Sequence, residues 1–186
     1  MAFLYTDSSS AILLERSALF DQLLQHARVV MSTAVYTEIT KPGYPGEDRF
    51  KTDYHSKRFS VAPYVKWGIK TPSLLNKNTD LQQWGIGERE TIFLYLKNRD
   101  GYILIDDGKA ARWCFKHDIP FINALLVPKI FRYGQLISED EYASKFEKLC
   151  TIGRYSQKIK SFARDCTMKD LSYFIELMFH GKQFKK

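Results

Sequence analysis

Residues 3–14 read FLYTDSSSAILL, and this stretch decides the fold. Its first four residues are apolar, aromatic or β-branched, which predicts a short buried strand. Asp7 and the three serines after it are typical N-cap residues, and the apolar run behind them has helical character. The stretch therefore predicts a strand that ends at Asp7 and passes directly into a helix.

The same alternation recurs along the chain. Strands are predicted at residues 29–31, 102–105 and 120–122, and helices at residues 19–26, 33–39, 87–98 and 108–117. Alternating strands and helices predict an α/β fold of three layers, α/β/α, with a short parallel sheet between helices. From residue 123 the pattern is helical almost to the end, with a predicted kink at Pro128 and breaks at Gly134 and Gly153.

These patterns divide the chain into one domain and an appendage. Residues 1–137 form the predicted domain, within which residues 41–84 are an irregular insertion with helical character. Residues 138–186 form a predicted basic helical extension at the C-terminus.

Composition narrows the class of protein. The chain has 186 residues, of which 45% are hydrophobic and 26% charged, an ordinary globular balance that excludes disorder as the default. Its apolar runs are too short to span a bilayer, residues 1–5 are too short for a signal peptide, and its three cysteines form no ligand pattern. We therefore expect a cytoplasmic protein with no membrane partner. The net charge of +7 is concentrated in the middle and C-terminal segments and favours a polyanionic partner.

Acidic residues fall near the carboxyl ends of the predicted strands, where ligands bind in parallel α/β sheets. They are Asp7, Glu38, Glu88, Asp106 and Asp107. Taken singly, each has an ordinary alternative role as a helix cap or a solvated helix residue. Together they cannot all stay charged without a counter-charge. Carboxylate oxygens without His or Cys favour Mg²⁺ or Mn²⁺ as the cation that supplies it.

The acidic residues lie within four short motifs, which are residues 4–12 (LYTDSSSAI), 29–39 (VVMSTAVYTEI), 87–92 (GERETI) and 104–112 (LIDDGKAAR). These motifs resemble those of PIN-domain nucleases, of the branch with a Gly-Glu third motif and an Asp-Asp fourth motif. The resemblance covers about residues 3–137. Relatives of this branch carry a Gly-Thr turn after the fourth strand, where this chain has Asn123-Ala124.

The resemblance implies a metal-dependent ribonuclease site. Its catalytic positions are Asp7, Glu38, Glu88 and the Asp106-Asp107 pair. Asp7, Glu88 and Asp106 or Asp107 are expected to bind the metal, and Glu38 to bind it through water or to orient the nucleophile. Ser8 or Ser9 is expected to hydrogen-bond a ligand carboxylate. The expected partner is single-stranded or structured RNA. Because many PIN-domain proteins are toxins of toxin–antitoxin pairs, an antitoxin protein is a second expected partner, and a second copy of the chain is a third.

Basic and aromatic residues interleave between residues 51 and 70, which suits binding of single-stranded RNA. The predicted contacts are Lys57, Arg58, Lys66 and Trp67, joined by Lys109 and Arg112 one turn past the acids. The alternative for the aromatic residues is packing on the core.

The leading hypothesis is therefore an endoribonuclease that uses Mg²⁺ or Mn²⁺ to cleave single-stranded RNA. The alternative is a nucleic-acid-binding or interaction protein on the same scaffold that does not cleave. A phosphatase of the haloacid dehalogenase type is disfavoured, because its nucleophile motif needs a second Asp where this chain has Ser9.

Overall fold

A computed structural model describes residues 3–63 and 84–179 of the chain. A parallel β-sheet lies at the centre of the fold. Its five strands are β1 (Phe3–Thr6), β2 (Arg28–Ser32), β3 (Ser60–Ala62), β4 (Tyr102–Leu104) and β5 (Phe121–Ile122). They lie in the order β3-β2-β1-β4-β5. In register, Tyr5 of β1 pairs with Val30 on one side and with Ile103 on the other. The strand order reverses direction between β1 and β4, which is where open α/β sheets bind ligands.

Ten α-helices connect and follow these strands in the described residues. They are α1 (Ser8–Arg16), α2 (Phe20–His26), α3 (Thr33–Ile39), α4 (Glu47–His55), α5 (Ile86–Asn98), α6 (Gly108–Lys116), α7 (Val127–Tyr133), α8 (Glu139–Ile152), α9 (Gln157–Asp165) and α10 (Ser172–Met178). A 3₁₀ turn, Ala124–Leu126, leads from β5 into α7.

The sheet separates two apolar cores. Neighbouring residues of each strand point to opposite faces, so Leu4 and Leu104 belong to one core and Tyr5 and Ile103 to the other. The first core packs α1, α2, α3 and the C-terminal helices against the sheet, and the second packs α5 and α6. The predicted α/β/α layering is confirmed.

The segment predicted as irregular is partly regular. Residues 47–55 form α4 and residues 60–62 form β3, which pairs with β2 at the edge of the sheet. Strand β3 escaped prediction because it has only three residues and Pro63, which has no N–H for a ladder, follows it at once. Lys66 and Trp67 lie outside the described residues.

The C-terminal helices are fastened to the first core. Phe146, Leu149 and Ile175 are buried there. Lys129 of α7 is also buried, and its Nζ donates to the carbonyl oxygens of Ala163 and Arg164 at the C-terminal end of α9. A cation is favourable at that end of a helix because the last carbonyl groups are unpaired.

Pro128 lies at the start of a helix instead of kinking one. It lies in the first turn of α7, where the missing N–H has no helical partner to lose. The predicted kink is therefore wrong. None of the described helices combines the length and the apolar character that a membrane span requires.

Candidate active site

Asp7 lies at the junction that the sequence predicts. It follows β1 in an extended conformation and caps α1, its Oδ1 accepting from the backbone N–H of Ser10 at 2.8 Å. Its Oδ2 lies 3.4 Å from the backbone N of Asp106, a long hydrogen bond. The side chain is fully buried. Burial and the charge of Asp106, aided by that of Glu88, outweigh the hydrogen bonds from Ser10 and raise the pKa of Asp7 to about 7.

Asp106 stands beside Asp7, after β4, and three donors hold its carboxylate. Oδ2 accepts from the Ser10 hydroxyl at 2.7 Å and from the Ala124 N–H at 3.1 Å. Oδ1 accepts from the Tyr155 hydroxyl at 2.5 Å. Burial raises the pKa of Asp106, while these hydrogen bonds act in the opposite direction. Two neighbouring carboxyls, Asp7 fully buried and Asp106 half-buried, therefore both resist ionisation.

Asp107 has a different task from that of its neighbour. It is the N-cap of α6, and its Oδ1 accepts from the N–H groups of Lys109 and Ala110 at 2.9 and 2.8 Å. Its charge still acts on the candidate site, because it adds to the burial that raises the pKa of Glu88. Of the two consecutive aspartates, Asp106 is the one whose backbone contacts the Asp7 carboxylate.

The two glutamates stand on the facing helices α3 and α5. Glu38 accepts a 2.8 Å hydrogen bond on Oε2 from the Ser8 hydroxyl. Glu88 bends back over Gly85, so closely that a Cβ at Gly85 would lie 2.2 Å from the Glu88 Oε2. Burial raises the pKa of Glu88, and the charges of Asp107 and Glu38 raise it further, against a hydrogen bond from its own backbone.

A cleft opens between these two helices. It has a volume of about 460 Å³, and both glutamates line it. Lys41 also lines it, a cation that the sequence patterns did not single out. The helices approach closely at Gly87, where a Cβ would lie 3.3 Å from the Val35 Cγ2. The cleft is the route by which a ligand would reach the glutamates.

The acids fit a hard divalent cation in donor type and in charge. All are carboxylates, and a bound cation would offset the burial and the neighbouring acidic charges that raise the pKa of Asp7. Within residues 3–63 and 84–179, however, no three of these side chains converge as in a formed metal centre. Glu88 lies folded over its own helix terminus, and Asp106 has three hydrogen-bond donors around it.

Ser8 and Ser9, either of which was expected to hydrogen-bond a carboxylate of the site, lie in different surroundings. Ser8 is buried and bonds Glu38, whereas Ser9 is exposed. Ser10, which sequence reasoning missed, bonds both Asp7 and Asp106. Its position three residues after an N-cap Asp is a local signal that could have found it. Tyr155 was also missed. Its partner Asp106 lies 49 residues earlier in the sequence, and no local pattern signals a contact over that distance.

The predicted RNA contacts lie at two ends of the sheet. Lys109 and Arg112 are exposed on the first turns of α6, beside the acids. Lys57 and Arg58 precede β3, so they lie at the amino edge of the parallel sheet, away from the acids. Arg58 is also committed elsewhere, because it forms ion pairs with Asp53 and Asp21 at 2.8 and 2.6 Å.

Comparison with known proteins gave one match. A family model described as PIN domain matches residues 4–159, from β1 into α9, and so includes all five strands and Tyr155. No curated protein and no solved structure matched the chain.

Proposed function

Because the chain belongs to the PIN-domain family, we propose that it is an endoribonuclease that uses Mg²⁺ or Mn²⁺ to cleave single-stranded RNA. One observation carries the proposal. Asp7 is fully buried against Asp106, with its pKa raised to about 7. Such a pair costs folding free energy in the absence of a cation and is therefore better explained by a ligand than by stability.

The chain's own residues divide the chemistry. Asp7 and Asp106 would hold the cation, with Glu88 and Asp107 completing its carboxylate surroundings. When bound, such a cation lowers the pKa of water and offsets the charge that builds on the attacked phosphate. Ser10 bonds both members of the central pair and keeps them together.

Glu38 and the cations serve the substrate. Ser8 holds Glu38 by one oxygen, which leaves the other to orient the attacking water. Lys41 in the cleft, and Lys109 and Arg112 on the first turns of α6, would contact phosphate groups of the RNA. The toxin role and the antitoxin partner have no separate support in the geometry and stay predictions from the resemblance.

Cleavage of RNA by matched Asp→Asn variants tests the proposal. The wild type should cleave a labelled panel of single-stranded RNAs with Mg²⁺ or Mn²⁺ and not in chelator. Asp7→Asn should reduce the rate by about a hundredfold or more, because it removes a charged ligand.

The matched control is Asp118→Asn. Asp118 is exposed before β5, at the amino edge, and its φ of 52° is one that Asn adopts as readily as Asp. This variant should keep the wild-type rate. Binding of RNA without cleavage by the wild type would instead favour the non-catalytic alternative, and equal cleavage by Asp7→Asn would move the site elsewhere.

A further inference from the structure

Tyr155 connects the C-terminal part of the chain to the acid cluster. It lies between α8 and α9, and its hydroxyl donates to Asp106 Oδ1 at 2.5 Å. A hydrogen bond from a neutral donor to a carboxylate is among the stronger ones in proteins. The contact is long-range, and it reaches an acid of the proposed metal site directly.

Gly153 makes room for the Tyr155 ring. A Cβ at Gly153 would lie 2.3 Å from the ring's Cε2 and 2.8 Å from its Cδ2. The backbone there has φ −91° and ψ 151°, which any residue adopts, so glycine is needed for space and not for conformation. The local chain is thus shaped around this ring position.

The hydrogen bonds to Asp106 limit what it can offer a cation. A carboxylate has about two acceptor sites on each oxygen. Ser10 and Ala124 use both sites of Oδ2, and Tyr155 uses one site of Oδ1. Among the described contacts, the second site of Oδ1 is the one left for a metal ion.

We propose that Tyr155 is a positioning residue that fixes Asp106 so that Oδ1 alone is presented to the divalent cation. The inference rests on the proposed function and adds a residue to its site. A carboxylate held at both oxygens binds in a single orientation, which is how hydrogen-bonding partners of ligands tune metal affinity.

A role in anchoring the C-terminal helices does not explain this contact. Those helices are already held by Lys129, by their buried apolar residues and by the Tyr133 hydroxyl, which donates to the Cys166 carbonyl at 3.2 Å. Tyr133 makes the same kind of tether without touching an acid. It therefore offers a matched control.

Equilibrium binding of Mn²⁺ without RNA tests the proposal, with free Mn²⁺ measured by electron paramagnetic resonance. Tyr155→Phe keeps the ring and removes the donor, and we expect it to weaken Mn²⁺ binding about tenfold. Tyr133→Phe should bind Mn²⁺ as the wild type does. Gly153→Ala, which displaces the Tyr155 ring without changing it, should also weaken binding and serves as the second variant.

Each outcome decides the matter. Equal Mn²⁺ affinity in Tyr155→Phe and the wild type would overturn the proposal, and so would tighter binding, which would make the hydroxyl a competitor of the cation. A parallel loss in Tyr133→Phe would reduce the effect to tethering. If the wild type binds no Mn²⁺, the proposed function itself fails and this inference falls with it.

Discussion

At the scale of single residues, Asp7 has two opposite effects on stability, one as a helix cap and one as a buried carboxyl. As an N-cap it stabilises α1, a task that a buried Asn or Ser would perform without a charge. As a buried carboxyl beside Asp106 it opposes folding whenever it ionises, because its pKa is raised to about 7 from a usual value near 4. An ionised carboxylate at this position therefore lowers the stability of the fold.

This opposition predicts the effect of Asp7→Asn on stability in chelator. The folded state binds more protons than the unfolded state between about pH 4 and pH 7, so wild-type stability falls as the pH rises through that range and levels off above it. The variant lacks this loss. At pH 8 we expect its melting temperature to exceed that of the wild type by about 2–6 °C.

Calorimetry from about pH 4 to 8 checks this expectation. The difference in melting temperature should be smallest at the acid end and largest above pH 7, and Mn²⁺ should reverse it by stabilising only the wild type. An Asp7→Asn protein that melts below the wild type at pH 8 in chelator would show that Asp7 is stabilised by its hydrogen bonds despite burial.

At the scale of secondary-structure elements, an ion-pair network around the buried Asp53 joins α2, α4 and the segment that precedes β3. Asp53 is buried, and its two oxygens accept from Arg49 at 2.9 Å and from Arg58 at 2.8 Å. Asp21 of α2 pairs with both arginines on the surface side. Because a buried carboxylate needs partners, we assign Arg58 to folding instead of RNA contact.

The assignment predicts opposite results for two adjacent cations. Arg58→Ala should lower the free energy of unfolding by about 1–3 kcal/mol, since Asp53 keeps Arg49 but loses one partner. Lys57→Ala, next to it, should change stability by less than about 0.5 kcal/mol. Urea unfolding measures both. An Arg58→Ala protein of unchanged stability that loses RNA affinity would restore the sequence-based interpretation.

Elements were predictable from sequence where they are long or strongly capped. Strand β1, helix α5 and helix α6 lie within a residue or so of their predicted positions, because apolar residues mark the first two and the Asp107 cap marks α6. Helix α4 has only Phe50 and Asp53 buried, so it shows little apolar periodicity. The three-residue β3 depends on pairing with β2, a long-range contact that no local pattern contains.

At the scale of the whole molecule, the acids of the candidate site lie at the edge of the parallel sheet that is formed by the carboxyl ends of its strands, here called the acidic edge. Every acid of the candidate site follows a strand or stands on a helix facing that edge, which is where the order of motifs along the chain leads one to expect them. Tyr155 could not be predicted in this way. It reaches Asp106 only because α8 and α9 fold back over the first core.

The positions of exposed basic residues relative to the acidic edge predict where RNA binds. Lys109 and Arg112 lie on the first turns of α6, at the acidic edge, whereas Lys57 and Lys116 are exposed towards the amino edge. If RNA crosses the acidic edge, replacing Lys109 and Arg112 by Ala should flatten the dependence of log affinity on log salt by about 1.4, at roughly 0.7 for each phosphate contact with a single strand.

The control for this experiment removes the same charge from the other end. Lys57→Ala with Lys116→Ala lowers the net charge by two, as the first pair does, but should leave the salt dependence almost unchanged. Both pairs are introduced into the Asp7→Asn protein, so that cleavage does not disturb the titration, and anisotropy of a labelled single-stranded RNA reports binding. Equal flattening by the two pairs would show that RNA follows the overall charge of +7 instead of the acidic edge.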